Sequence, residues 1–473
     1  MLRAVLWIIP GQTRRIVLFI LLACLAIGFP FAANGQDTNI KHKSPDTLSG
    51  AKPQKRFGRA AMELGLGEVV PWVIDDYVTR QDWANISFKT MGNNLRPSSW
   101  AWDNDQFQTN EIGHPFHGSI FYNAFRSNGY SFWQSAPAAF AGSYLWETFG
   151  ETQAPSINDF ITTGFGGVML GEVSHRMANK LTNNRTHGFK RQAGEVFALL
   201  INPSNGLTRL LDGKFGKPPQ RSSLIDSTKM EAELDLGVRK YNVNNKDVFR
   251  DGHFGPYGRL QLSYGSPDEH MKDPFSNISI VIEAGKDDSS KLNMVNVYGS
   301  LTGWKIYAQN NTHLAVLSAD YDYINNAAFF YSAEGVRMNL YSEFQLPGKF
   351  KINTSVGAGA LILAAIPDHY TFNSRNYDYG PGLSYYGSVK ISLTNRFFYN
   401  ISYHGGWMAT VNGNPSDYLL HVLTNNLWLN IIDGFAITAQ EGYFNLHGTY
   451  RDFPPVNKTY PYLMLAISYK LEL

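Results

Sequence analysis

Apolar and polar residues alternate along most of the chain beyond about Ser222. The clearest series lies at the C-terminus, where one parity holds Leu463, Leu465, Ile467, Tyr469, Leu471 and Leu473 and the other holds Met464, Ala466, Ser468, Lys470 and Glu472. The same period of two covers residues 231–239, 260–264, 278–284, 336–346, 383–394 and 399–407. Successive side chains of a strand point to opposite faces, so each segment would have one apolar and one polar face. The pattern predicts β-strands.

The connections between these segments alternate between short and long. Tight turns are indicated at Pro347-Gly348, Asn395-Arg396 and Asp433-Gly434, and longer polar stretches at 368–380, 410–417 and 447–459. Bacterial outer-membrane barrels have short periplasmic turns, long external loops and an even number of strands. Residues 225–473 are therefore predicted to form a transmembrane antiparallel β-barrel of about 12 strands, with residues 291–309 forming either one long strand or two short ones. A periplasmic β-sandwich is the alternative, since its apolar face would pack inward.

The segment before the barrel has a helical pattern, and residues 64–217 are predicted to form a small helical domain. Helices are expected from near His114, from Trp133 to Glu151 and from Ser156 to about Leu181. Ser156 with Asp159 fits a capping box at the start of the third helix. That helix is rich in glycine, with Gly164, Gly166, Gly167 and Gly171. Small residues let another backbone approach closely, so we expect tightly packed helices that cap or partly plug the periplasmic mouth of the barrel.

The N-terminus is typical of an exported protein. Residues 1–35 are predicted to be a signal peptide, with Arg3, Arg14 and Arg15 before an apolar run from Ile16 to Phe31 and small residues before Gln36. A single membrane anchor is the alternative. Residues 36–63 are polar and are predicted to be a flexible linker. Cleavage near Gln36 would remove Cys24, the only cysteine, so no disulfide is expected in the mature protein.

Composition is consistent with a barrel and excludes one class of partner. The 41 Lys and Arg residues nearly balance the 39 Asp and Glu residues, so no nucleic acid partner is predicted. Charged residues make up 17% and aromatic residues 14% of the chain, as suits strands that alternate between polar and apolar faces. Several aromatic residues share the apolar parity near strand ends, where interfacial girdles would place them. They are Tyr385, Tyr399, Tyr403, Trp407, Tyr443 and Tyr469.

A series of spaced motifs lies within the predicted helical domain. In chain order they are H-P-x-x-G from His114, G-S-x-x-W-E-x-x-x-E from Gly142, S-x-x-D from Ser156, G-G-x-x-x-G-E from Gly166 and N-P-x-x-G-x-x-R-L from Asn202. Over about a hundred residues this series resembles a family of uncharacterised bacterial envelope proteins that is catalogued as a domain of unknown function. The resemblance implies a place in the envelope of Gram-negative bacteria of the Bacteroidetes type. It implies no particular reaction.

Three pairs of residues in the helical domain could contribute to a metal site. The pairs, each at a spacing that shares one helix face, are His114 with His117, Glu147 with Glu151, and Glu172 with His175. Helical bundles build two-metal sites from such histidines and carboxylates. The alternative is structural. His114 before Pro115 would be an N-cap, and the two glutamates would face solvent or pair with Arg126.

A hydrolase must also be considered, and it would need a serine, a histidine base and an orienting group. In the helical domain the candidates are Ser143, His114 or His117, and Glu147. In the barrel they are His404 and His421, near Ser402 and Asn425. The sequence has no G-x-S-x-G elbow, Walker loop, dinucleotide fingerprint or zinc-finger spacing.

The leading functional hypothesis is non-enzymatic: passive passage of a small solute, in the manner of a porin, or organisation of the envelope. Polar residues on the inner face would line the lumen, namely Glu231, Glu233, Asp235, Arg239, Lys390 and Lys470. The expected partners are outer-membrane lipid and the barrel-insertion machinery, with a small solute as a further candidate and no cofactor. The helical part is expected on the periplasmic side. The alternative function is an outer-membrane lipid hydrolase or a metal-binding envelope enzyme.

Overall fold

The computed structural model describes residues 54–219, 225–244, 247–266, 273–287, 291–308, 311–345, 350–394 and 396–472. The predicted signal peptide and the predicted linker up to residue 53 lie outside these residues, as do the turn at Pro347-Gly348 and Asn395. The chain divides into two compact units, Met1–Thr228 and Lys229–Leu473.

The described part of the first unit is helical. Its helices are α1 (Phe57–Val73), α2 (Phe88–Asn94), α3 (His114–Arg126), α4 (Phe132–Leu145), α5 (Ile157–Thr182), α6 (Gly188–Ile201) and α7 (Pro203–Leu211). Single π-helical turns at Ile74–Val78, Thr109–Gly113 and Trp146–Gly150 extend α1, precede α3 and extend α4. The three predicted helices are confirmed as α3, α4 with its π-turn, and α5. Among the described residues, no helix has the length and apolar character needed to cross a membrane.

The helical unit begins earlier than predicted. Residues 57–63, assigned from sequence to the linker, form the first turns of α1. The reason is a buried polar contact that sequence does not reveal. Glu63 is buried, and its two carboxylate oxygens accept hydrogen bonds from Asn128 and Thr208, each at 2.8 Å. Arg59 adds an ion pair to Asp212 at 2.6 Å, so α1 is tied to distant parts of the unit.

Glycines allow α3 and α5 to pack backbone against backbone. A Cβ added to Gly118 would lie 1.9 Å from the carbonyl oxygen of Thr163, and one added to Gly167 would lie 2.6 Å from Gly118 Cα. Further along α5, a Cβ on Gly171 would lie 2.5 Å from the Tyr122 ring. The close helix packing predicted from these glycines is confirmed. The start of α3 therefore lies beside the start of α5.

The second unit is a closed antiparallel barrel of twelve strands, as predicted. The strands are β1 (Met230–Tyr241), β2 (His253–Tyr264), β3 (Ile278–Gly285), β4 (Leu292–Ala308), β5 (Asn311–Asn325), β6 (Phe330–Gln345), β7 (Lys351–Phe372), β8 (Arg375–Ser392), β9 (Phe397–Ala409), β10 (Ser416–Ile432), β11 (Phe435–Tyr450) and β12 (Val456–Glu472). Neighbours in sequence pair with one another, and β1 closes the ring by pairing with β12. Of the range 291–309, Leu292–Ala308 form one strand, β4, with a register shift between Ser300 and Thr302, so the prediction of one long strand is confirmed. Closure leaves no free sheet edge.

The apolar parity faces out of the barrel. On β1, Leu236 and Val238 are 59% and 51% exposed, whereas Asp235 and Arg239 are 2% and 3% exposed. On β12, Leu465 and Ile467 pair with Val238 and Leu236 and are equally exposed on the same surface. A soluble sandwich would bury this apolar face, so that alternative is wrong.

The connections differ in part from the prediction. The Asp433-Gly434 turn is confirmed between β10 and β11, with Gly434 at a φ of +79°. The long polar connection predicted over 368–380 is wrong, because β7 continues to Phe372 and β8 begins at Arg375. Backbone ladder bonds do not depend on side-chain polarity, so this hairpin continues through polar sequence.

Candidate functional site

A partly buried histidine and two buried carboxylates meet at the start of α5. His114 lies in the first turn of α3, Glu147 in the π-turn after α4, and Asp159 in the first turn of α5. Each offers one possible ligand atom, and these three atoms all lie within 4.8 Å of one another. His114 Nε2 lies 3.6 Å from Asp159 Oδ1. Imidazole nitrogen with carboxylate oxygen is a donor set that divalent transition metals accept.

The local chain holds Glu147 and Asp159 in place. The Ser156 hydroxyl accepts a hydrogen bond from the Asp159 backbone N–H at 3.1 Å, which confirms Ser156 as the cap of α5. The predicted reciprocal bond from Asp159 to the Ser156 N–H does not form. Glu147 Oε2 accepts from that N–H at 2.8 Å instead. The Asp159 carboxylate therefore faces the cluster instead of the Ser156 N–H. Because the sequence assigns Asp159 to the capping box, it was not among the predicted metal ligands.

An amide side chain links this cluster to a further acid. Asn158 Nδ2 donates to Asp103 Oδ1 at 2.7 Å and to Asp159 Oδ1 at 2.9 Å. Asn110 Nδ2 donates to the same oxygen of Asp103 at 2.8 Å. Asp103 was not predicted as a site residue. Its only sequence signal is its place in the acidic run Trp102-Asp103-Asn104-Asp105.

Burial makes the charged forms of this cluster costly. Desolvation, with the neighbouring Glu151 carboxylate, raises the pKa of Glu147 well above its usual range. Desolvation and Asp103 do the same to the pKa of Asp159. Burial also raises the pKa of Glu151 to about 7 and lowers the pKa of His114. Without a cation nearby, burial therefore favours the neutral forms of these side chains. A bound cation would offset this cost and favour the ionised carboxylates.

The structure does not bring His117 into this cluster. Its Nε2 lies 2.9 Å from the Gly67 carbonyl oxygen, and its ring centroid lies 4.4 Å from that of Phe121 and 4.6 Å from that of Trp146. Burial lowers the pKa of His117 to about 4. His117 thus joins α3 to α1.

Ser143 and Glu151 also have structural contacts. The Ser143 hydroxyl is buried and directed at the Asp159 carbonyl oxygen, 3.5 Å away. Glu151 accepts a hydrogen bond from Trp146 Nε1 at 2.5 Å. His114, for its part, is the first residue of α3, and Gly113 takes the N-cap position predicted for it. Ser143 is not directed at an imidazole, as a serine nucleophile would be.

Glu172 is the centre of a separate buried network. It accepts hydrogen bonds from Arg126 Nε at 2.8 Å, Arg176 Nε at 2.8 Å and Tyr122 Oη at 2.6 Å. The two guanidinium groups outweigh its desolvation and hold the pKa of Glu172 far below its usual value. His175 instead bonds Asn179 at 2.9 Å. The predicted pairing of Arg126 with Glu147 or Glu151 is wrong, because α3 brings Arg126 to Glu172.

The six residues predicted to line a lumen all lie on the inner side of the barrel. Glu233 on β1 accepts a hydrogen bond from Trp428 Nε1 on β10 at 3.2 Å, and two strands separate β1 from β10. Such a contact crosses the interior. Lys390 Nζ lies 5.8 Å from the centroid of the same Trp428 ring. The others form short contacts: Lys470 with Glu231 at 2.7 Å, Asp235 with Arg259 at 2.9 Å, and Arg239 with Asn293 at 2.7 Å.

Aromatic rings fill much of the interior. The Arg239 guanidinium lies 5.9, 5.6 and 5.8 Å from the ring centroids of Tyr241, Tyr257 and Tyr460. These rings belong to a larger buried apolar cluster that spans β1, β2, β5–β7 and β9–β12. Beside it is a small pocket whose lining includes Asp235, Tyr257, Arg259, Asn426 and Trp428. The described interior is therefore narrowed by aromatic and apolar side chains, with polar groups such as Arg239 among them.

The barrel residues considered for hydrolysis are split between the two faces. Ser402 bonds Thr424 at 2.6 Å, and His404 faces Asp322 at 3.4 Å, both inside the barrel. His421 bonds Tyr403 Oη at 2.6 Å and Asn425 bonds Tyr399 Oη at 2.9 Å, both on the outer face. Strand parity puts Ser402 and His421 on opposite faces of the wall. They do not form one catalytic group.

Comparison with known proteins returned structural neighbours and one family model. A porin, NanC, is 10% identical with a TM-score of 0.28, and the match covers 50% of this chain and 100% of that one. An outer membrane channel from Pseudomonas putida F1 is 10% identical with a TM-score of 0.27, covering 52% and 95%. The monoaromatic hydrocarbon channel CymD is 9% identical with a TM-score of 0.24, covering 52% and 88%. No curated protein matched the chain. Residues 99–204 match the family model described as Domain of unknown function (DUF3943), which confirms the resemblance seen in the motifs.

Proposed function

We propose that this protein is an outer-membrane barrel that admits small polar solutes through a narrow, charged interior, with its helical unit on the periplasmic side. The observation that carries the proposal is the segregation of side chains across the wall. Apolar residues such as Leu465 and Ile467 are exposed outside, while close pairs of an acidic and a basic side chain, such as Asp235 with Arg259, lie inside. Contact with lipid would stabilise the exposed apolar side chains of the outer wall, and the polar side chains inside would line a path for polar solutes.

The arrangement of one rim of the barrel supports this orientation. β1 begins and β12 ends at the rim that also carries the Asp433-Gly434 turn, since Glu231 pairs with Glu472 and Phe435 with Tyr469. Short turns mark the periplasmic rim of outer-membrane barrels. The chain would therefore enter β1 from the periplasm, where the barrel-insertion machinery would act on it and where the helical unit would remain.

Passage through the interior would be selective because the constriction is polar. Arg239 and its three tyrosine neighbours occupy the interior, and only a small pocket lies beside Asp235 and Arg259. The solute would be small and hydrogen-bonding. Near the turn-side rim, Lys390 and Glu233 would influence which charge enters.

Planar bilayer recordings test this function. We expect small conductance steps from the wild-type chain, larger steps from Arg239→Ala, and a shift toward cations in Lys390→Glu. Leu465→Ala, on the outer wall, is the control and should leave conductance unchanged. Absence of conductance in all of these folded proteins, together with no solute uptake by liposomes, would exclude passage and favour an envelope-organising role.

A further inference from the structure

The buried carboxylates of the helical unit have two kinds of surroundings. Glu172 and Glu195 are each paired with two guanidinium groups, Glu172 with Arg126 and Arg176 and Glu195 with Arg191 and Arg209. Glu147 and Asp159 are equally buried, at 2% and 3% exposed. Within the described ranges, neither of them has an ion pair to lysine or arginine, and the neighbour of Asp159 is the His114 imidazole. A buried carboxylate without a cation is costly.

We propose that His114, Glu147 and Asp159 bind one divalent transition-metal ion, of which Zn²⁺ is the test case. Their ligand atoms lie within 4.8 Å of one another. Ligands at about 2.1 Å from a tetrahedral ion are separated by roughly 3.4 Å, so small side-chain rotations bring the three donors to bonding distance. One nitrogen and two carboxylate oxygens favour a transition metal over Mg²⁺, which prefers oxygen alone.

Two buried hydroxyls without hydrogen-bond partners lie close in the chain to these donors. Thr148 Oγ1 and Thr163 Oγ1 are buried and have no hydrogen-bond partner among the described residues. Thr148 follows Glu147 in the π-turn, and Thr163 lies four residues after Asp159, on the same face of α5. Buried hydroxyls normally have partners. Water on the open coordination positions of the ion would supply acceptors and donors for them.

The contacts that hold these three side chains in place support a preorganised metal site. The backbone contact of Gly118 with Gly167 holds α3 against α5, and this puts His114 at Asp159. The Ser156 N–H holds Glu147, and Asn158 holds Asp159. Metal sites depend on such hydrogen bonds, which fix the direction of the ligands. The inference does not depend on solute passage through the barrel.

The test uses the full chain in detergent, purified without a histidine tag and stripped with a chelator. Calorimetry with Zn²⁺ should show one ion per chain, and Co²⁺ should produce visible absorption bands of a nitrogen- and oxygen-bound ion. Glu147→Gln and Asp159→Asn keep the size of each side chain and can still accept the Ser156 and Asn158 hydrogen bonds. Each should weaken Zn²⁺ binding at least tenfold, and His114→Ala should abolish the Co²⁺ bands.

Two controls separate this site from unspecific binding. His187→Ala removes an exposed histidine, and His117→Gln removes a partly buried one that bonds a backbone carbonyl. Both should bind Zn²⁺ as the wild type does. The proposal is overturned if the wild-type chain binds no Zn²⁺, or if Glu147→Gln and Asp159→Asn, with unchanged circular dichroism, bind it as tightly as the wild type. Failure here would leave the conductance results unaffected.

Discussion

Glu172→Gln should strongly destabilise the helical unit. The substitution preserves the shape of the side chain but removes the charge that faces Arg126 and Arg176, whose side chains are only 12% and 7% exposed. Breaking a buried ion pair from one side costs about 3–5 kcal/mol, because the remaining charge stays buried and unpaired. Two guanidinium groups lose their partner here, so we expect a loss at the upper end of that range.

The loss is measured on the full chain by thermal unfolding followed by circular dichroism at 222 nm, where helices dominate the signal. At about 2–4 °C per kcal/mol for a unit of this size, the melting temperature should fall by on the order of 10 °C. Asp82→Asn is the matched control, since Asp82 is an exposed acid of the same unit. It should change the melting temperature by no more than a degree or two.

Acid provides a second measurement of the same interaction. The pKa of folded Glu172 lies far below its usual value, so its contribution to stability is complete above the unfolded pKa of about 4.3 and decreases as the pH falls below that value. The stability difference between the wild type and Glu172→Gln should therefore narrow below about pH 4. A difference below about 1 kcal/mol at pH 7, or one that does not change with pH, would refute the reasoning.

Two further predictions follow from the fold, and a third follows from the predicted signal peptide. Gly118→Val should keep α3 away from α5 and lower the free energy of unfolding by more than the roughly 1–3 kcal/mol typical of overpacking. Gly58→Ala, at an open position, should not destabilise the helical unit. Unfolding curves of the two variants test this difference. Leu465→Arg should destabilise the barrel in lipid by about 2–4 kcal/mol in urea titrations, and Leu465→Ile should be neutral. Deletion of residues 1–35 should keep the protein out of the outer-membrane fraction, as cell fractionation would show.

The strands could be predicted from sequence because their signal is local. Alternation over ten or so residues determines which side chains share a face, and Asp433-Gly434 marks a turn from its own backbone preferences. Alternation does not say which face points outward. That was decided by the pairing of β1 with β12, more than two hundred residues apart, which closes the sheet and turns Leu236 and Ile467 to the outside.

In the helical unit, sequence predicted three of the helices and the Ser156 cap of α5, but not the contacts between helices. Spacing within one helix suggested His114 with His117 and Glu172 with His175, yet spacing only determines the face on which a residue lies. What that face meets depends on the helix crossing. The crossing at Gly118 and Gly167 brings His114 to Asp159 and Arg126 to Glu172, contacts between residues more than forty positions apart. The glycines were visible in the sequence, whereas their partners became known only from the packing of α3 on α5.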